Sequence, residues 1–404
     1  MNELVLISVA GADEPGITAA ITRLLGQQDV DILDIGQSVI HDHLSLGILA
    51  NMPGNSASLR LAVEEALSKF NVAISFVAVT KQSYDTWVGL QGASRYLLTL
   101  LARRIKAEHI GEVSAVIADH GLNIDNITRL SGRVPLQQSA AVTKACVEFS
   151  LRGEPSETFR RRLLELCADL DIDVAVQEDG IYRRTRQLIA FDMDSTLIQT
   201  EVIDELAEYA GVGKEVAAIT AQAMAGELDF TESLHRRVRL LRGLRESALE
   251  EIGGRLPLME GAEHLFRTLN HLGYKTAIIS GGFSYFGEIL RQKLGIDYLY
   301  ANSLVIEGGC LTGEVTEPIV DAARKATLLK LIAEEEGISL KQTIAVGDGA
   351  NDLAMLDVAG MGIAFHAKPL VRENAGHAIS TLGLDSLLYL MGIRDRDQEF
   401  REGS

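Results

Sequence analysis

Cysteine is scarce in this chain: Cys146, Cys167 and Cys310 lie scattered through 404 residues. An odd, widely spaced trio offers neither metal-ligand spacing nor a disulfide framework, so zinc modules and stapled secreted scaffolds drop out, and buried thiols are expected instead. Long apolar runs are also missing. None approaches the ~18 residues of a membrane-spanning helix. The opening MNELVLISVAGADEPG has no basic region and no long apolar core, so it does not read as a secretory signal. Positive charge is in deficit, with 38 Lys and Arg against 56 Asp and Glu and a formal net charge of −18. That argues against nucleic acid or anionic membrane as the main partner, since both need basic surface. A small phosphorylated substrate needs only a local cluster of cations and stays open. The expectation is a protein of the reducing cytoplasm. Its length is enough for two to four domains, and its 47% hydrophobic content is enough to bury several cores.

The most informative stretch is IAFDMDSTLI, residues 189–198. Its apolar lead reads as a buried strand. Asp192 and Asp194 follow at the carboxyl end, where ligands bind in open α/β sheets. Two positions apart in an extended chain, their side chains point the same way. Paired carboxylates can divide labour, one attacking or binding metal and the other carrying protons. A solvated Asp-x-Asp loop would look the same in isolation.

Two further strands end on chemistry. KTAIISGGFS, residues 275–284, runs into Ser280-Gly281-Gly282. Glycines there let backbone N–H groups approach an anion, and the serine adds a hydroxyl donor. TIAVGDGANDLAML, residues 343–356, runs into Asp348, Asn351 and Asp352, oxygen ligands suited to a hard divalent cation. Upstream, Lys325 in DAARKATLLK could balance a phosphate and several carboxylates, although most helical lysines are merely solvated.

The chain is also repetitive. Residues 4–35 and 96–127 overlay with a shift of 92, and each is followed by a strand, a helix and a closing strand. The order is βαββαβ twice, the ferredoxin-like pattern. Domains are expected at 1–82, 95–178 and 182–404. A linker is expected at SYDTWVGLQGAS, residues 83–94, and a boundary at EDGIYRRTRQ. From residue 187 alternating strands and helices predict an α/β doubly wound sheet. Its strands are placed at Leu188–Asp192, Lys275–Ser280 and Thr343–Gly347. A helical insert covers about 200–256, and a hairpin turns at Gly308-Gly309. The insert carries Glu201, nine residues after Asp192, and Arg237 on an amphipathic helix. A carboxylate and a guanidinium in one pocket suit the ammonium and carboxylate of an α-amino acid. The helix alone does not choose among Arg236, Arg237, Arg239 and Arg242.

D-x-D-x-T, Ser-Gly, Lys and G-D-G-x-N-D, in that order, resemble the haloacid dehalogenase-like phosphatase superfamily over about residues 185–395. The resemblance implies a Rossmann-like core with a small helical cap. It implies Asp192 as nucleophile and Asp194 as general acid and base, with Ser280, Gly281, Lys325 and Asn351 on the substrate. It implies Mg²⁺ held by Asp192, Asp348 and the main-chain carbonyl of Asp194. Within the superfamily, Glu201 and the D-F-x-x-S-L-x-x-R-V pattern resemble the phosphoserine phosphatase family. That implies Glu201 and Arg237 on the substrate's amino and carboxyl groups, Met224 and Phe230 lining the pocket, and O-phospho-L-serine hydrolysed to L-serine in the last step of serine biosynthesis. The repeats resemble ACT domains, which bind amino acids and pair across subunits. This implies a homodimer with L-serine as effector near Asp13 and Gly16. The second repeat departs from the pattern, with Glu108 where the first has Gly16. Two other readings stay open: a phosphotransferase acting on a related amino alcohol, and an amino-acid sensor with a vestigial phosphatase domain.

Overall fold

The computed structural model describes residues 3–398, apart from 55, 93, 134, 136 and 138–143. It forms two compact units, residues 1–93 and 94–404.

The first unit is a four-stranded antiparallel sheet in the order β2-β3-β1-β4. Its strands are β1 (Glu3–Ala12), β2 (Asp31–Ile40), β3 (His43–Met52) and β4 (Val72–Val79). Alternation sends Val5, Ile7 and Val9 to one face. There they pack under Ile17, Ile21 and Leu25 of the helix Ile17–Gln27 and Val63 of the helix Ala57–Leu67. The stretch expected as a linker is instead largely a helix, Lys81–Gly89, whose N-cap Thr80 accepts a hydrogen bond from Ser83 N at 3.1 Å. It buries no side chain, so it carries no apolar periodicity for the sequence to display, and only the cap announces it.

The second unit opens with the other repeat. Its strands β5 (Arg95–Ala102), β6 (Asn123–Arg129), β7 (Ala145–Arg152) and β8 (Asp173–Glu178) pair in the order β6-β7-β5-β8. The strand expected from Ala141 begins at Ala145, and residues 141–143 lie outside the described residues. The shift of 92 holds for the helices, where His109, Val113 and Ile117 match Ile17, Ile21 and Leu25. It fails for the first strand. Inward-facing Leu98, Leu100 and Ala102 match Val5, Ile7 and Val9 at a shift of 93, so the connecting loop is one residue shorter. Glu108 therefore sits in the first turn of the helix Ala107–Asp119, where a carboxylate suits the helix dipole.

Strands β5, β7 and β8 of this second sheet are largely buried on both faces. Leu98, Leu100, Phe149 and Leu151 meet the repeat's own helices. Leu101, Cys146 and Ala175 on the far face join one core with Leu387, Leu388 and Tyr389 near the end of the chain.

The remainder is a seven-stranded sheet in the order β12-β11-β10-β9-β13-β14-β15. Its strands are β9 (Leu188–Phe191), β10 (Lys275–Phe283), β11 (Tyr298–Glu307), β12 (Cys310–Thr316), β13 (Thr343–Gly347), β14 (Met361–Phe365) and β15 (His377–Ile379). All neighbours run parallel except β11 and β12, a hairpin turning at Gly308-Gly309. Helices cover both faces, so Leu188, Ile189, Ala190 and Phe191 are all fully buried, as a central parallel strand requires. Four helices, Val202–Ala210, Gly213–Met224, Phe230–Leu240 and Glu246–Gly254, form the insert between β9 and β10. Among the described residues no helix is long and apolar enough to cross a membrane.

Candidate active site

Strand β9 is the first of its sheet in sequence, yet it lies between β10 and β13. The order reverses there, and the carboxyl ends of strands at such a switch point leave a crevice. Asp192 follows β9, Ser280 lies near the end of β10, and Asp348 follows β13. A cavity of about 750 Å³ opens over them. It is lined by Asp192, Asp194, Ser280, Gly281, Asp348 and Asn351 from the core, and by Glu201, Met224, Phe230 and Arg237 from the insert.

The floor is buried and charged. Asp192 is 4% exposed, with Oδ1 accepting from Met193 N at 2.7 Å and Oδ2 lying 2.8 Å from Lys325 Nζ. Lys325 does not line the cavity. It lies fully buried beneath it, with Nζ also 2.6 Å from Asp352 Oδ1. Burial pushes the lysine's pKa down, but Asp192 and Asp352 outweigh it, so the ammonium is held firmly charged. Asp352 completes the clamp, accepting from Gly349 N at 3.0 Å through Oδ2. The sequence offered it as an oxygen ligand for a divalent cation, whereas packing makes it the lysine's partner. Asp204 was missed. It lines the cavity three residues after Glu201, in the first turn of the helix that Glu201 caps.

Asp194 stands beside the floor, with Oδ1 accepting from Val202 N at 3.3 Å. Burial, and then the neighbouring Glu201 and Asp192, push its carboxyl well above the usual range. A carboxyl shifted upward holds its proton more readily and so is suited to donate it. The glycines are explained by approach: a Cβ on Gly282 would lie 2.4 Å from Asp194 Oδ2, and one on Gly281 would lie 2.8 Å from Phe230 Cζ. Ser280 Oγ accepts from Gly282 N at 3.0 Å, which fixes the hydroxyl at the strand end.

On the insert, Asp229 caps the helix Phe230–Leu240 and accepts from Glu232 N at 2.7 Å. Phe230 and Arg237 lie seven residues apart, about two turns, and so share one face. Leu234 and Val238 are buried in the core. Arg236 turns away into an ion pair with Glu232, which separates it from Arg237. Desolvation pushes the Arg237 pKa down, while Asp204, Glu201 and Asp194 favour its charge. Glu201 accepts from Ser195 Oγ at 2.8 Å, and burial raises its pKa.

Carboxyl oxygens of Asp192, Asp348 and Asp352 gather within 4.8 Å of one another. Burial and the adjacent Asp192 and Asp352 raise the Asp348 pKa to about 7, a sign of uncompensated negative charge. This all-oxygen set fits a hard divalent cation. Asp192 and Asp348 line the cavity and Asp352 does not, so Asp192 and Asp348 are the carboxylates placed to hold it. Asp13 and Gly16 lie in the first unit. Gly16 adopts φ 102° at the start of the helix Ile17–Gln27, a conformation that favours glycine, and Asp13 N donates to Asp42 O at 2.8 Å.

Comparison with known proteins agrees with this architecture. Residues 187–360 match the haloacid dehalogenase-like hydrolase family, and residues 3–77 and 94–177 each match an ACT domain. The phosphoserine phosphatase of Streptomyces coelicolor is 41% identical over 98% of this chain and 93% of its own length. That of Mycobacterium tuberculosis is 40% identical over 96% and 93%. Among solved structures, a haloacid dehalogenase-family hydrolase from Salmonella enterica serovar Typhi superposes with a TM-score of 0.65 at 34% identity, covering 73% of this chain and 98% of that one. An unliganded probable phosphoserine phosphatase from Vibrio cholerae superposes at 0.60 with 33% identity, covering 76% and 88%.

Proposed function

The chain belongs to the phosphoserine phosphatase family of haloacid dehalogenase-like hydrolases with two ACT domains, and from that premise we propose that it hydrolyses O-phospho-L-serine to L-serine and phosphate. The observation that carries this reading is one cavity with two unlike walls. Asp192 and Asp194 face it from the core, and Glu201 and Arg237 face it from the insert. The first pair suits phosphoryl transfer, and the second suits the two charges of an amino acid.

An oxygen of Asp192 attacks phosphorus in line, and the bond from phosphorus to the serine oxygen breaks. Protonated Asp194 gives its proton to that oxygen, so L-serine leaves neutral at its hydroxyl. Asp194, now ionised, takes a proton from water, which attacks the aspartyl-phosphate and releases phosphate. Lys325 and the amide of Gly281 balance charge on the phosphoryl oxygens. Ser280 and Asn351 orient the group. Asp192, Asp348 and the main-chain carbonyl of Asp194 would hold Mg²⁺, which when bound screens the carboxylates from the phosphoryl group. The reaction is that of the last step of serine biosynthesis. The ACT domains serve a homodimer, with L-serine bound around Asp13 and Gly16 of the first.

The deciding experiment compares phosphoserine with phosphoethanolamine, which lacks the carboxylate. Removing Arg237 as Arg237→Ala should cost phosphoserine about 2–5 kcal/mol in kcat/KM and spare phosphoethanolamine. Equal losses on both would remove Arg237 from the carboxylate. Absence of phosphoserine turnover in the unaltered protein would remove the reading itself.

A further inference from the structure

The cavity has a third wall that no motif announced: Lys368, Leu370 and Val371, from the segment after β14. This segment starts at His366, whose φ of 48° is unusual for a residue with a side chain. Two hydrogen bonds hold it there. His366 N donates to Ile379 O at 2.7 Å, and His366 Nε2 lies 2.9 Å from Leu382 O. A carbonyl can only accept, so the second contact places the proton on Nε2. Both acceptors lie at or just beyond β15, the edge strand of the sheet.

That edge is held from the second repeat. Asp173, the first residue of β8, is 2% exposed. Its Oδ2 accepts from Ser380 N at 2.9 Å, Thr381 N at 2.8 Å and Thr381 Oγ1 at 2.7 Å. Charge-assisted bonds to a buried carboxylate are the strong kind, and their geometry is well defined. The two anchors interleave along one stretch: Asp173 grips residues 380 and 381, and His366 grips 379 and 382. The carboxylate of the repeat thus fixes the carbonyls on which the substrate wall turns.

We propose that Asp173 is a positioning residue for the substrate cavity, acting through residues 379–382 and His366 on the wall formed by Lys368, Leu370 and Val371. In this role the second repeat is a brace built into the catalytic unit. The wall meets the insert that carries Glu201 and Arg237, where Lys368 Nζ lies 3.9 Å from Met224 Sδ. Displacing it should therefore affect recognition of the leaving group more than phosphoryl chemistry. The inference rests on the cavity being the phosphoserine site.

The test uses the full chain with Mg²⁺ and two substrates: O-phospho-L-serine, and acetyl phosphate, whose small activated leaving group lacks the amino-acid ammonium and carboxylate. Asp173→Asn keeps the shape and removes the charge. It should raise KM for phosphoserine ~10-fold with kcat within about twofold, because small misplacements of positioning groups are costly. Acetyl phosphate parameters should stay at the wild-type values. Thr381→Val removes one of the three bonds and leaves Asp173 intact, so it keeps the test decisive if Asp173→Asn does not fold. It should shift the same ratio in the same direction by a smaller factor. Equal losses on both substrates, or an unchanged ratio in a folded Thr381→Val protein, overturn the proposal. Failure of the wild type on phosphoserine overturns the functional reading instead, and it is seen before any variant is made.

Discussion

The two N-terminal repeats share a βαββαβ order and inward-facing helices, and they differ in what lies on the far side of the sheet. In the first repeat that face carries Leu4, Leu6 and Leu49, all half-buried, and Val77, which is 52% exposed. In the second repeat it carries Leu101, Cys146 and Ala175, each at most 2% exposed, sealed against Leu387, Leu388 and Tyr389. Polar ties rim the contact: Lys144 Nζ to Asp385 at 2.5 Å, Arg103 to Glu260 at 2.6 Å, and Gln177 Nε2 to Leu390 O at 3.0 Å. One architecture has thus been used twice, once with its sheet face in a private core contact and once without. The difference extends to the loop before the first helix. The first repeat has Gly16 at φ 102°, whereas the second is a residue shorter and already helical at Glu108. A shared fold does not fix a shared task.

Truncation gives the sharpest break. A chain of residues 94–404 should fold and hydrolyse phosphoserine, whereas residues 182–404 should be insoluble or lack a cooperative melt. The shorter chain uncovers Leu387, Leu388 and Tyr389, and each such side chain loses about 1.5–3 kcal/mol of burial. A cooperative, active 182–404 chain would make the two repeats equivalent again.

The chemistry should not depend on the first unit. Asp194→Asn should lower kcat by roughly 10²–10⁴-fold in the full chain and equally in 94–404. Single-turnover rates that differ between the two backgrounds would show that the first repeat enters catalysis.

The sheet faces can be compared directly by unfolding. Leu101→Ala should destabilise by about 2–5 kcal/mol, as buried leucines do when truncated. Val77→Ala, on the exposed face of the first repeat, should fall within about 0.5 kcal/mol of wild type. Similar denaturant midpoints for the two variants would erase the contrast.

The smallest expected effect is regulatory. A Cβ on Gly16 meets Phe70 Cζ at 3.8 Å, an ordinary contact, so Gly16→Val is opposed by φ and not by space. It should abolish serine-dependent inhibition beyond simple product competition, a coupling of about 1–3 kcal/mol. Glu108→Gly in the second repeat should leave the serine response unchanged. Dose–response curves for the two variants that coincide would deny the first repeat its separate role.

How much of this was legible in residue order follows from the range of the forces involved. Asp192, Ser280 and Asp348 could be placed because each ends an apolar run, and a buried parallel strand puts its next residue at the crevice. The turn at Gly308-Gly309 and the helical character of the insert were legible because glycine conformations and 3.6-residue periodicity are local. The helix Lys81–Gly89 was not, because it buries nothing and so leaves no pattern. Side-chain burial is a property of neighbours brought from afar. Lys325 could be marked as a candidate cation, but its partners Asp192 and Asp352, at 2.8 and 2.6 Å from its ammonium, come only from packing. Asp173 reads as a strand-end carboxylate until Ser380 and Thr381, more than two hundred residues later, supply its three donors. Residue order determined the elements and the chemical groups at their ends. Only packing decided which charges lost their water, which carboxylates anchor other groups, and which repeat became part of the enzyme's core.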